Sequence, residues 1–129
     1  MADRNNLQEC KQSAVDFLRL VVAGQIDQAY QEYVDMQGVH HNPFFPAGFP
    51  QLMKAMIENH AQFPHKQIMV KHVLADEDLV AVHSNLVLKA GEPGMTVVHI
   101  FRFVGDKIVE MWDIGQSLPA DSPNQSGAF

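Results

Sequence analysis

The sequence predicts an α+β domain in which a curved mixed or antiparallel sheet, covered by three N-terminal helices, encloses a largely apolar pocket. Three observations carry this prediction. Apolar residues recur at helical spacing through the first half, β-rich runs separated by turn signals fill the second, and the two patterns follow one another without alternating. Helices grouped ahead of strands favour a sheet covered on one face and argue against a doubly wound nucleotide-binding sheet.

The first helix is read from Leu7 to Ala23, where Leu7, Ala14, Val15, Leu18, Val21 and Val22 gather on one broad face. Gly24 ends it, because glycine takes the left-handed cap that other residues resist. A second helix runs from Ile26 to Val34, making an αα-hairpin with the first. From Asp35 to Pro50, Gly and Pro are too dense for a regular element, yet Val39, Phe44, Phe45 and Phe49 are too apolar for a linker. This stretch reads as a loop folded over the body. Leu52, Met53, Met56 and Ile57 define a third helix, Gln51 to Gln62, which stops ahead of Pro64.

Four strands follow, Ile68 to Leu74, Leu79 to Leu88, Met95 to Val104 and Lys107 to Ile114. The Gly105-Asp106 pair between the last two is a hairpin signal and makes them antiparallel neighbours. Strand alternation then places Val97, His99, Phe101 and Phe103 on one face, with Val109, Met111 and Asp113 beside them. Ala81, His83, Asn85 and Val87 are read as the matching row of the preceding strand. The domain is assigned to residues 1–119 and a flexible tail to 120–129.

Composition narrows the functions. Nine Lys and Arg against fifteen Asp and Glu give a net charge of -6, with no basic run, so nucleic acid is a poor partner. The single Cys10 forms no intrachain disulfide, the start from Met1 to Asn6 lacks the apolar run of a signal peptide, and no stretch has the roughly 20 apolar residues that span a bilayer. A cytoplasmic protein without membrane contact is the expectation. Phosphate-binding glycine loops, a Gly-x-Ser-x-Gly elbow and a Cys-x-x-Cys pair are all missing from the sequence.

The candidate chemistry lies in a few polar residues on apolar rows. A carboxylate beside an imidazole in an apolar cavity supports general acid–base catalysis, and His99 and Asp113 fit that description on adjacent strands. The competing reading leaves Asp113 half exposed at a strand end with no role. His83 points to the same cavity or is a core or interface histidine. Of His41 and its neighbours, only one side chain of an adjacent pair enters the pocket. Zinc needs three or four ligands in a closed shell, and His41, His83 and His99 do not make one at readable spacing, so no metal is expected. Phe45, Met53 and Met56 serve either the core or a hydrophobic ligand, and Trp112, of opposite parity to Asp113, faces outward toward a second copy of the chain.

Four stretches carry a family resemblance: His41-Asn42-Pro43 followed by Gly48, Asp78-Leu79-Val80-Ala81-Val82-His83, Ile100-Phe101-Arg102-Phe103, and Gly105 through Gln116. Taken in order they resemble the nuclear-transport-factor-like (NTF2-like) cone, and more closely its SnoaL-like group related to polyketide cyclases, from about Ala14 to Pro119. The resemblance implies a homodimer of cones that uses no cofactor. It implies that Asp113 is the acid–base group of an aldol cyclase, or, by likeness to ketosteroid isomerases, that a base lies near His41 or Asn42 and an oxyanion-stabilising group at His99. The isomerase tyrosine falls at Phe17, which has no hydroxyl; the closer group commonly has Asp at His99 and His at Met111.

The expected function is therefore cofactor-independent cyclase or isomerase chemistry on a small apolar or aromatic carbonyl compound. Asp113, His99, His83 and His41 are the catalytic candidates; Phe17, Asn42, Phe45, Met53, Met56, Phe101 and Met111 are the ligand contacts. The alternatives are a non-catalytic binder of a small hydrophobic ligand and a scaffold acting through the outer sheet.

Overall fold

The computed structural model describes residues 4–129; the polar start at Met1 to Asp3 lies outside them. Its helices are α1 (Arg4–Val22), α2 (Ile26–Tyr33) and α3 (Phe49–Gln62). Its strands are β1 (Val34–His40), β2 (Gln67–Asp76), β3 (Leu79–Val87), β4 (Met95–Val104) and β5 (Lys107–Ser117). The strands form one sheet in the order β1-β5-β4-β3-β2, antiparallel except for the parallel β1–β5 edge pair. The α+β class and the three covering helices agree with the sequence reading.

The end of α1 shows how locally the helices are specified. Gly24 has φ +88°, its N–H donates to the Val21 carbonyl, and the Gln25 N–H donates to the Leu20 carbonyl. Those two bonds are a Schellman cap, which needs a residue at ease in the left-handed region. At the other end of the hairpin, α2 gives way at Val34, where the chain becomes β1 and not the predicted loop. The predicted third helix also begins two residues earlier, at Phe49, since Pro50 sits in its first turn, where a missing N–H costs nothing.

β1 escaped detection because Val34 and Met36 alternate only briefly before Gly38 interrupts them. That glycine is required by the sheet. A Cβ there would lie 2.3 Å from the Val109 carbonyl oxygen and 2.9 Å from the Phe49 ring. Val109 is the extra residue of a bulge in β5, where Arg102 faces Glu110 but Phe103 faces Ile108. The bulge corrects one predicted row, as Ile108, and not Val109, is the buried inward residue.

The inner face of the sheet packs against all three helices through Ala14, Phe17, Tyr30, Leu52, Val82 and Phe101. Aromatic rings link the layers edge to face, Phe17 to Tyr30 at 5.3 Å, Phe17 to Phe101 at 5.7 Å and Tyr30 to Phe49 at 6.4 Å between centroids. Past Ser117 there is no helix or strand, and Phe129 sits against His83 on the outer face of the sheet, 5.4 Å between ring centres.

Candidate functional site

Between the helices and the inner face of the sheet lies a cavity of about 680 Å³ with largely apolar walls. The antiparallel register sets His99 directly opposite Asp113, so both side chains point to the same face, and both line the cavity. His99 Nε2 stands 3.6 Å from Asp113 Oδ1, beyond ordinary hydrogen-bond reach. The His99 ring stacks parallel to Phe101, and its Nδ1 is enclosed without a hydrogen-bond partner among the described residues. Burial lowers the His99 pKa below the ordinary imidazole value, and the nearby Asp113 carboxylate only partly opposes this. Near neutral pH the ring is therefore an uncharged imidazole.

The other carboxylate oxygen is held from the loop after β1. Asn42 Nδ2 donates to Asp113 Oδ2 at 2.8 Å, while Asn42 Oδ1 accepts the Phe44 N–H at 3.0 Å. These two bonds orient the amide unambiguously. His40 in turn fixes the loop, its Nε2 donating to the Pro46 carbonyl at 2.8 Å and its Nδ1 accepting the Asn42 N–H at 3.1 Å. A chain from buried His40 through Asn42 to Asp113 thus ties the end of β1 to β5.

Residues 14–111 match the model of the SnoaL-like domain. The chain belongs to the SnoaL-like family. No curated protein matches it. Among solved structures it resembles AclR from Streptomyces galilaeus, provisionally assigned as a hydroxylase, at 21% identity over 85% of this chain and 90% of that one, with a TM-score of 0.71. A provisionally assigned polyketide cyclase from Acidithiobacillus ferrooxidans aligns at 20% identity over 83% and 87% of the two chains, TM-score 0.67. An NTF2-like protein of unknown function from Cytophaga hutchinsonii aligns at 9% identity over 83% and 89%, also at 0.67. At such identities the likeness establishes the NTF2-like fold and leaves activity to the site itself.

Within this SnoaL-like domain the predicted site residues divide. Asp113, His99, Asn42, Phe45 and Met56 line the cavity. His83 does not. Its cross-strand partner is Val98, whereas His99 faces Val82, so His83 lies on the outer face. There its Nδ1 is 2.9 Å from His72 Nδ1 and its Nε2 is 2.8 Å from Thr96 Oγ1. The predicted row of Ala81, His83, Asn85 and Val87 is thus reversed, because the long β3–β4 connection leaves register open and the larger Val80 and Val82 take the core.

His41 reaches the cavity, but its ring is held toward the outer side. It donates from Nε2 to Glu110 at 2.7 Å and stacks on outward-facing Trp112 at 5.0 Å. The bond from His41, with a second from Arg102 at 2.9 Å, keeps the Glu110 carboxyl below its usual pKa. Phe17, Phe101 and Met111 are corrected from ligand contacts to buried core, and Met53 packs against that core without lining the cavity.

Beyond several apolar wall residues, two polar lining residues went unread. Lys66, in the turn before β2, and Asn59 of α3 contribute the remaining polar wall, with Lys66 Nζ donating to Asn59 Oδ1. An isolated lysine next to Pro64-His65 looks like solvated surface in sequence, and only the fold buries it. Among the described residues no group of three His, Cys, Asp or Glu side chains is arranged to hold a metal, and no helix is long and apolar enough to cross a membrane.

Proposed function

We propose that this SnoaL-like domain is an acid–base catalyst acting on an apolar carbonyl compound, with Asp113 as the base. The observation that carries the reading is the Asp113 carboxylate, anchored at one oxygen by Asn42 and open at the other beside an uncharged His99, inside an apolar cavity of about 680 Å³. A neutral imidazole does not take up the carboxylate's charge in an ion pair, so Asp113 keeps a free lone pair for a proton.

The reaction follows from that arrangement. Asp113 Oδ1 takes a proton from the carbon alpha to the carbonyl, and the C–H electron pair moves into an enolate. His99, carrying its proton on Nε2, donates toward the oxygen where charge develops. The enolate carbon then either regains the proton at another position, giving an isomer, or attacks a second carbonyl in the same molecule, closing a ring, with Asp113 returning the proton to the new alkoxide. The provisional polyketide cyclase assignment of one structural neighbour is in keeping with the second outcome.

A simple enolisable ketone tests the reading. The protein should accelerate exchange of the alpha protons of β-tetralone for deuterium, and the acceleration should depend on Asp113. Tight binding of such ketones without any exchange would favour the non-catalytic alternative, a binder of small hydrophobic molecules.

The reading extends to assembly as a homodimer. Leu74, Ile114 and Met69 are exposed on the outer face that also carries Trp112, and a second copy of the chain is the simplest partner to cover them. Light scattering at micromolar concentration should give the mass of two chains; a monomer there would remove this part of the proposal.

A further inference from the structure

Lys66 is only 7% exposed, yet it carries a charge that nothing in the described residues balances. An ammonium has three N–H donors. One is accepted by Asn59 Oδ1, and no Asp or Glu lies within ion-pair distance among the described residues. A buried cation without a counter-ion is strongly unfavourable unless something else supplies the missing charge. Burial also pushes the Lys66 amine below the ordinary lysine value.

Its place in the cavity adds the second half of the argument. Lys66 adjoins Gln67, which pairs with Val87, whereas the row through Asp113 crosses His99, Val82 and Val73. On a flat sheet, β2 and β5 are separated by three strand spacings, roughly 14 Å. Lys66 and Asp113 thus line one apolar cavity from positions three strands apart in the sheet order, the former beside Asn59 and the latter beside His99. The chain as a whole carries a net charge of -6 and repels anions, so any affinity for one has to arise from a local cation such as this.

The geometry points to an anionic ligand: an apolar, ring-sized body fills the cavity and bears a carboxylate or similarly acidic oxygen that pairs with Lys66. Where the acid–base reading holds, the same ligand presents its carbonyl to Asp113; the anion preference rests on Lys66 alone. Asn59 orients the ammonium by accepting one donor and leaves two for the ligand's oxygens.

Fluorescence titration with a matched pair of probes, pyrenecarboxylate and the uncharged pyrenemethanol, tests this on the full chain. The wild-type protein should bind the carboxylate about tenfold or more tightly than the alcohol. Lys66→Met should abolish that preference by weakening carboxylate binding while leaving alcohol binding near its wild-type value, and Lys66→Arg should retain a preference. Asp113→Asn should keep the preference intact, so a failure of the acid–base reading, seen in proton exchange, is distinct from a failure here. Equal binding of the two probes by the wild type, or an unchanged preference in Lys66→Met, overturns the assignment. Should Lys66→Met not fold, the wild-type ratio together with Lys66→Gln decides between the same two outcomes.

Discussion

Asn42 Nδ2 donates to Asp113 Oδ2 at 2.8 Å across 71 positions of sequence, so the loop after β1 aims the carboxylate on β5. One oxygen is thereby occupied and the other is left facing His99. Removing this bond frees the carboxylate to rotate away from the substrate. Asn42→Leu should lower the alpha-proton exchange rate about ten- to a hundredfold with a smaller change in KM, since misplacing a reacting group costs that much. A loss confined to KM would assign Asn42 to binding alone.

Stability should report the state of His99. An imidazole with a lower pKa folded than unfolded binds more protons unfolded, so acid favours unfolding. Stability should therefore fall as pH drops below 6.5, the ordinary imidazole value, and the slope should end once the lowered folded value has been passed. His99→Phe, which cannot protonate, should lose this part of the slope. Urea unfolding of both proteins across that range is the measurement, and parallel profiles would show that His99 is not the buried neutral group.

Gly38 tests the hidden edge strand. A methyl group placed 2.3 Å from the Val109 carbonyl oxygen forces β1 away from the β5 bulge. Gly38→Ala should destabilise the fold by about 2 kcal/mol or more, a typical cost of overpacking. It should also reduce exchange activity, because β1 leads into the loop that carries Asn42. Full stability in this variant would place the glycine elsewhere.

His83 separates the two faces of the sheet. Its ring meets His72, Thr96 and Phe129 on the outer side. His83→Ala should leave the exchange rate of the protein near wild type, and a collapse of activity would return His83 to the catalytic group.

What could be read in the sequence depended on how local its cause was. The α1 cap at Gly24, the stop before Pro64 and the Gly105-Asp106 hairpin are set within a few residues, and each stands where expected. The hairpin makes β4 and β5 neighbours, but it is the bulge at Val109, unreadable in the sequence, that shifts the register so that Asp113 and not Trp112 faces His99. β1 was not legible, because its parallel partner lies near the far end of the chain and Gly38 serves that partner. The facing of His83 depends on a register that the long Leu88–Gly94 connection leaves open. Phe101 and Met111 lie on the cavity's side of the sheet but are covered by helices, Phe17 joins the same core from α1, and burial of Lys66 exists only once α3 and β2 are brought together.

The central claim is that Asp113 Oδ1 moves a proton. Exchange of the alpha protons of β-tetralone, followed by NMR in deuterated buffer, reads that step without knowledge of the natural substrate. Asp113→Asn retains size and shape but removes the base, and the protein-catalysed rate should fall by about a thousandfold, with pyrenemethanol still bound. A variant that exchanges as fast as wild type, or a wild type no faster than buffer, would contradict the account.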